Sequence, residues 1–225
     1  MDAILDFLHN LTDPNWIIDH GGYYIVLAIV FAETGLLLGF ILPGDFLLFI
    51  TGTIIAKPEA LTPFDNQMQN MVFWELMIIL AAVLGNMVGY WFGRKSGKYL
   101  FERKDTWYFK KKHIIQAKDF YERKGGGAII LARFLPIVRT FAPIVAGVVG
   151  MNYKKFMLYN VIGAVIWVGL LVTVGYFLGR NPWVERNLEY IVLGMVLVTT
   201  VPVLFKMIFG KSKAGDQLPA NGKTA

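Results

Sequence analysis

The chain of 225 residues contains no cysteine, which excludes a disulfide, a thiolate metal site and a cysteine nucleophile. Histidine is nearly as scarce. His9, His20 and His113 are too far apart to form a metal-ligand pair on one helix face. Charged residues make up only 17% of the chain and hydrophobic residues 56%, whereas a soluble domain carries about 25% charge. A water-soluble domain, a disordered chain and a disulfide scaffold are therefore disfavoured. The first 22 residues hold no Lys or Arg, so the basic start of a cleavable signal peptide is missing. Glycine clusters occur at Gly85–Gly89 and Gly125–Gly127, but neither is followed by the lysine of a phosphate loop. No histidine stands in a compact phosphatase-like motif. The chain is expected to be no enzyme and to hold no metal or cofactor.

What the sequence does have is apolar length. After a segment 1–22 whose Ile4, Leu5, Phe7, Leu8 and Leu11 suggest an interfacial amphipathic helix, five apolar blocks follow, at about 23–56, 72–93, 128–150, 156–178 and 188–209. A membrane-spanning helix needs about 20 apolar residues. The second, fourth and fifth blocks meet that need simply. The first and third are interrupted, by Pro43-Gly44-Asp45 and by Arg133, Pro136, Arg139 and Pro143.

Flanking charge explains the interruptions. Lys+Arg 22 minus Asp+Glu 16 gives +6, and the excess is uneven. Residues 94–127 carry eleven Lys/Arg and four acids, whereas 1–22 and 57–72 together carry one Lys and six acids. Positive charge stays on the cytoplasmic side. The third block then starts and ends inside, and the first starts and ends outside. Each is expected to be a re-entrant helical hairpin, 23–56 and 128–150, one from each face. Pro43, Gly44, Pro136 and Pro143 would supply the bends. Residues 94–127 form a basic cytoplasmic loop. Its Trp107–Phe109 beside Lys110–Lys112 suit anionic lipid rather than nucleic acid. Residues 211–225 read as a disordered cytoplasmic tail.

The expected fold is thus an all-α membrane protein: two oppositely oriented re-entrant hairpins and about three full transmembrane helices, arranged as an inverted repeat. The two units end alike, Gly89-Tyr-Trp-Phe-Gly-Arg94 and Gly175-Tyr-Phe-Leu-Gly-Arg180. Inverted repeats with broken helices at the midplane are typical of secondary transporters.

Four charges stand within the interrupted blocks: Glu33, Asp45, Arg133 and Arg139. Each costs about 2.5–3.5 kcal/mol at a helix centre, and such residues pair or face a cavity. Two acids on one hairpin and two arginines on the other sum to zero. Arginine holds phosphate through its planar fork, and an acid beside it can exchange protons. These residues therefore form a candidate proton-coupled anion site. A neutral lock between the hairpins is the competing reading.

At the same positions the sequence resembles a known family. Glu33-Thr-Gly35 and Phe40-Ile-Leu-Pro43-Gly44-Asp45, then Gly85-Asn86…Gly89-Tyr90…Gly93-Arg94, are similar to its first two segments. Arg133-Phe-Leu-Pro136-Ile-Val-Arg139-Thr-Phe-Ala-Pro143…Gly147 and Asn160-Val-Ile-Gly163…Trp167 are similar to its last two. The family is DedA, grouped with the eukaryotic VTT, or SNARE-associated Golgi, proteins. The resemblance spans about residues 20–180. It implies a multi-pass protein of the bacterial inner membrane, with membrane lipids and protons as partners. It also implies lipid transport or scrambling, notably recycling of undecaprenyl phosphate. By position, Glu33 and Asp45 become the proton-coupling acids and Arg133 and Arg139 the phosphate-binding arginines. Asn86, Gly93, Arg94, Gly147, Asn160 and Gly163 support the motifs. The expected activity is a flippase for a phosphate-bearing lipid. The alternatives are a proton-driven exporter of small ions or drugs and a non-transporting scaffold.

The absence of cysteine makes the topology directly testable. Cysteines placed singly at Gln67 and Lys111 are treated on intact cells with a membrane-impermeant thiol reagent. Labelling is expected at 67 and not at 111, and the reverse would overturn the assignment.

Overall fold

The computed structural model describes residues 22–35, 44–57, 63–102, 127–134, 136–187, 190, 191 and 194. Among them the regular structure is helical throughout: α1 Tyr23–Gly35, α2 Gly44–Ile55, α3 Gln67–Glu102, α4 Gly127–Ala132, α5 Pro136–Val148, α6 Tyr153–Leu178 and α7 Pro182–Arg186. Two are long and apolar enough to cross a membrane, α3 over Gln67–Gly97 and α6. The 26 residues of α6 extend about 39 Å, beyond a hydrocarbon core of about 30 Å. The 12 or 13 residues of α1, α2 and α5 reach only about 18–20 Å.

Each expected hairpin block therefore holds two short helices, α1 and α2 in the first and α4 and α5 in the second. The bends only partly follow the sequence expectation. Gly44 opens α2 and Pro136 opens α5, the helix position where proline's missing N–H is harmless. The turn before α5 is closed by Arg133 N–H donating to the Ile130 carbonyl and Phe134 N–H to that of Leu131, both at 3.2 Å. Pro143 is a correction: it lies inside α5, and the helix runs through it. With no N–H, it leaves the residue 139 carbonyl without its helical donor. Pro43 lies outside the described residues.

A second correction concerns the basic loop expected from residue 94. α3 continues to Glu102, because the sequence from Arg94 to Glu102 contains no proline. Its Gly97 also packs against Val148 of α5. The interfacial segment 1–21, most of the span 188–209 and the tail 211–225 lie outside the described residues.

The helix surfaces fit a lipid solvent. Leu76, Leu80, Leu84 and Val88 recur every fourth residue along α3 and are exposed; so are Leu158, Val161, Ile162 and Val165 on α6. Phe46, Leu47, Ile50, Trp74, Ile78, Trp167 and Val172 are buried between helices. Lipid tails are as apolar as leucine, so close packing rather than water exclusion must hold such helices together. Glycine provides that closeness. A Cβ on Gly93 would collide with the Ile144 carbonyl, and one on Gly147 with that of Tyr90, so α3 and α5 touch backbone to backbone. Between α2 and α6, Gly52 meets the Val172 carbonyl and Gly175 that of Phe49. Gly150, with φ +71°, ends α5 in the left-handed conformation. Just beyond it, the Asn152 side chain caps α6, accepting from Lys154 N–H at 3.0 Å and Lys155 N–H at 3.3 Å.

A methyl group inserted at Gly147 has no room. Overpacking costs roughly 1–3 kcal/mol, so Gly147→Ala should lower the thermal midpoint in detergent. Gly127→Ala, where nothing lies within 4 Å of the added carbon, should leave it unchanged. Equal midpoints for both variants would contradict the backbone contact.

Candidate functional site

The four charges converge, although not as two separate pairs. Arg139, on α5, donates through Nη2 to Glu33 on α1 and through Nη1 to Asp45 at the start of α2. Glu33 is completely buried, whereas the Asp45 side chain retains 23% exposure. One guanidinium thus serves both acids. Gly44 is required at its position because the Glu33 carboxylate fills the space a Cβ would take. Asp45 lies in the first turn of α2, where the helix dipole favours negative charge.

Arg133 is the exception. It is 2% exposed, yet among the described residues it has no carboxylate partner; both described ion pairs belong to Arg139. Its Nη2 donates instead to the Asn160 side-chain oxygen at 2.6 Å and main-chain carbonyl at 3.3 Å, both on α6. The Asn160 amide is itself fixed, its Nδ2 donating to the Val83 carbonyl at 3.2 Å. Asn86 on α3 completes the cradle, with its Nδ2 2.8 Å from Asn160 Oδ1. Turning the Asn86 amide about its own axis instead puts its oxygen 2.8 Å from Arg133 Nη2 and its nitrogen 3.2 Å from the Thr34 carbonyl. In both orientations Asn86 and Asn160 meet beside Arg133. Gly163 leaves room for the arginine stem: a Cβ there would lie 3.0 Å from Arg133 Cδ.

Sequence patterning gave no separate role to Trp167. Its Nε1–H donates to Asp45 Oδ1 at 2.8 Å. Both guanidinium carbons lie over its ring, Arg139 at 4.7 Å and Arg133 at 5.8 Å from the centroid. A tryptophan face attracts cations, so one buried indole steadies two like charges and one of the acids. The only sequence signal for it was its place in a motif. Glu75, near the start of the second apolar block, belongs to none of the motifs. It is half-buried, and a Cβ on Gly169 would lie 3.0 Å from its Oε1.

The remaining motif residues have structural positions. Gly93 and Gly147 make the α3–α5 contact described above. Arg94 Nη1 donates to the Tyr90 hydroxyl at 3.0 Å, and that hydroxyl donates to the Met151 carbonyl at 2.5 Å.

Chemically, two carboxylates and two guanidinium groups sum to zero when all are ionised. Arg139 and its two acids carry a net −1, and Arg133 carries +1 apart from them. Arg133 Nε and Nη1 and Arg139 Nε are buried donors without an acceptor among the described residues. Buried N–H groups normally have partners, and guanidinium donors most strongly demand an anionic one. Among the described residues no group of three His, Cys, Asp or Glu could hold a metal ion.

Comparison with known proteins agrees on one family. The family model described as the VTT domain matches residues 42–177. The chain is 41% identical over 192 residues to Protein DedA of Escherichia coli (strain K12), covering 85% of this chain and 84% of that protein. Inner membrane protein YqjA of the same strain is 30% identical over 200 residues, covering 87% of each. An uncharacterized membrane protein of Mycobacterium leprae (strain TN) is 36% identical over 212 residues, covering 91% of this chain and 90% of that protein. No solved structure matches.

Proposed function

The chain belongs to the DedA family of VTT-domain membrane proteins, and from that premise we propose that it is a proton-coupled carrier, not an enzyme, that moves a phosphate-bearing lipid across the bacterial cytoplasmic membrane. The cargo best suited to the site is a polyprenyl phosphate such as undecaprenyl phosphate. Arg133 is the primary phosphate ligand. Arg139 joins it when the acids release it, and Glu33 and Asp45 handle the protons. The C-terminus lies on the cytoplasmic side.

The observation that carries this reading is Arg133: among the described residues, a buried cation with unpartnered donors and a cradle of neutral amides where a structural ion pair would have a carboxylate. Proton coupling follows from the charge sum. The site is neutral at rest, so a bound phosphate monoanion leaves it at −1. A buried net charge is costly, and one proton on Glu33 or Asp45 restores neutrality. Anion binding and proton uptake thus reinforce each other.

The membrane architecture belongs to the same proposal. The pairs α1–α2 and α4–α5 are the two re-entrant hairpins, entering from opposite faces, and each is followed by a span. What supports an inverted repeat is that the close contacts come in exchanged pairs. Gly175 of α6 meets the carbonyl three residues before Gly52 on α2, and Gly93 of α3 meets the carbonyl three residues before Gly147 on α5. Gly93 therefore corresponds to Gly175, one helical turn from the register of the Gly89–Arg94 and Gly175–Arg180 sequence match.

Protein in nanodiscs is titrated with a polyprenyl phosphate across pH. Because binding takes up protons, affinity should rise as pH falls, until the phosphate itself becomes protonated. Glu33→Gln, a mimic of the protonated acid, should bind at least as tightly, with a shallower pH slope and no transport in liposomes. Arg133→Lys keeps the charge but loses the fork, so it should weaken binding about tenfold or more. Absence of phosphate-lipid binding at every pH would overturn the lipid cargo and leave the exporter reading.

A further inference from the structure

The helices pack across their sequence order, and the kind of contact divides them into two sets. α1 lies on α3 with backbone against backbone: a Cβ on Gly85 would be 2.7 Å from the Phe31 carbonyl, and one on Gly35 3.0 Å from the Gly85 carbonyl. α3 lies on α5 in the same way through Gly93 and Gly147. The second set is α2 on α6, through Gly52, Gly175 and Gly179, the last with a Cβ position 2.7 Å from Thr53 Cα. α4 lies on α6 in ordinary van der Waals contact, Ile130 Cα against Gly163, and is tied to it by Arg133, which follows α4 and bonds Asn160, rather than by a backbone collision. The backbone-to-backbone glycine contacts have little room to slide, because any relative shift drives backbone atoms together.

Contacts between the two sets are of another kind. α3 meets α6 through side chains: Asn86 beside Asn160, Asn160 Nδ2 donating to the Val83 carbonyl, Tyr90 stacked on Phe156 with ring centroids 4.5 Å apart, and Glu75 beside Gly169. α5 meets α2 and α6 through Arg139, bonded to Asp45 and lying over Trp167, and α1 meets α2 where the Glu33 carboxylate lies against Gly44. Side chains can exchange partners and rotamers, so this boundary can move where the glycine contacts cannot. The short α5–α6 connection crosses from one set to the other at Gly150, whose φ of +71° gives it a conformation open to few other residues.

We infer that the described domain consists of two crossed rigid bodies, α1–α3–α5 and α2–α4–α6, latched by the Arg139–Asp45 ion pair and the Asn86–Asn160 contact. Each short-helix pair is shared between the bodies, one limb in each. The four site charges balance within each body, Glu33 with Arg139 in the first and Asp45 with Arg133 in the second, so the bodies can separate without leaving an unbalanced site charge in either. The two acids thus differ in role. Glu33 bonds Arg139 within its own body, so separation of the bodies does not require that bond to break. Asp45 bonds Arg139 across the boundary, and its carboxylate also holds the Trp167 N–H of its own body. Asp45 is the latch acid, consistent with its partial exposure.

The test involves no cargo, so it can fail while the lipid-phosphate reading stands, and the reverse. The cysteine-free chain accepts spin labels at lipid-exposed positions. Val88 with Phe141 reports within the first body, Leu131 with Ile162 within the second, and Leu84 with Val165 across the boundary; all six are exposed. Pulsed dipolar distances are measured in nanodiscs for the otherwise wild-type chain, Asp45→Asn and Glu33→Gln. The cross-boundary distribution should shift or broaden in Asp45→Asn and stay close to wild type in Glu33→Gln, while both within-body distributions stay fixed in all three. If Asp45→Asn does not fold, Asn86→Ala loosens the other half of the latch, leaving there only the Asn160–Val83 hydrogen bond among the described polar contacts, and should move the same pair. The partition is overturned if within-body distances move as much as the cross-boundary one, or if no latch variant moves the latter. An equal shift in Glu33→Gln and Asp45→Asn would remove the distinction between the acids and overturn the latch.

Discussion

Arg139 donates one guanidinium nitrogen to Glu33 and another to Asp45, and that fork ties together three helices that have little else in common at this level. α1, α2 and α5 are each too short to cross a bilayer. Their inner ends would place charge and open backbone groups in a medium that can satisfy neither. Bringing two carboxylates to one planar cation offsets much of that cost, because five N–H donors in a fixed fork can serve both acids at once. The geometry then dictates its surroundings. Gly44 must lack a side chain so that Glu33 can reach its place, and Trp167 covers the cation and donates to the shared acid.

The fork also leaves a remainder. With both acids committed to Arg139, Arg133 is held among the described residues by dipoles: Asn160 bonds it directly, and Asn86 lies beside both. A buried ion pair is a poor device for stability alone, since an apolar replacement is often as good. A buried cation without an acid is poorer still. Its retention in so closely packed a domain makes sense if the missing acceptor is a ligand. The proposed carrier function, its phosphate chemistry and its coupling to protons all follow from that one imbalance.

Much of this was legible in the sequence because burying charge is costly. Glu33, Asp45, Arg133 and Arg139 stood out as the charges of two interrupted apolar blocks, and the lysine-rich segments suggested an orientation. The pairing was not legible, because which arginine faces which acid depends on how α5 lies against α1 and α2, and no spacing rule encodes that. Pro143 was expected to bend the chain on residue type alone, but the helix tolerates it. The length of α3 was hidden because charge and Gly97 after Gly93 resemble a loop, although Arg94–Glu102 contains no proline to end a helix. Trp167 stood in a motif but had no legible role: an aromatic ring in an apolar block costs nothing, so its part in the site shows only when its N–H and its face are seen to be occupied.

The central claim is that Arg139 holds the fold together while Arg133 waits for an anion, and thermal stability of two isosteric neutralisations in one detergent tests it most directly. Arg139→Met strands two carboxylates and should cost roughly 3–5 kcal/mol, a fall of many degrees in the midpoint. Arg133→Met removes a buried cation bonded, among the described residues, only to amides, and should leave the midpoint unchanged or raise it while abolishing phosphate-lipid binding. A fall for Arg133→Met as large as that for Arg139→Met would make Arg133 a structural counter-ion and contradict the account.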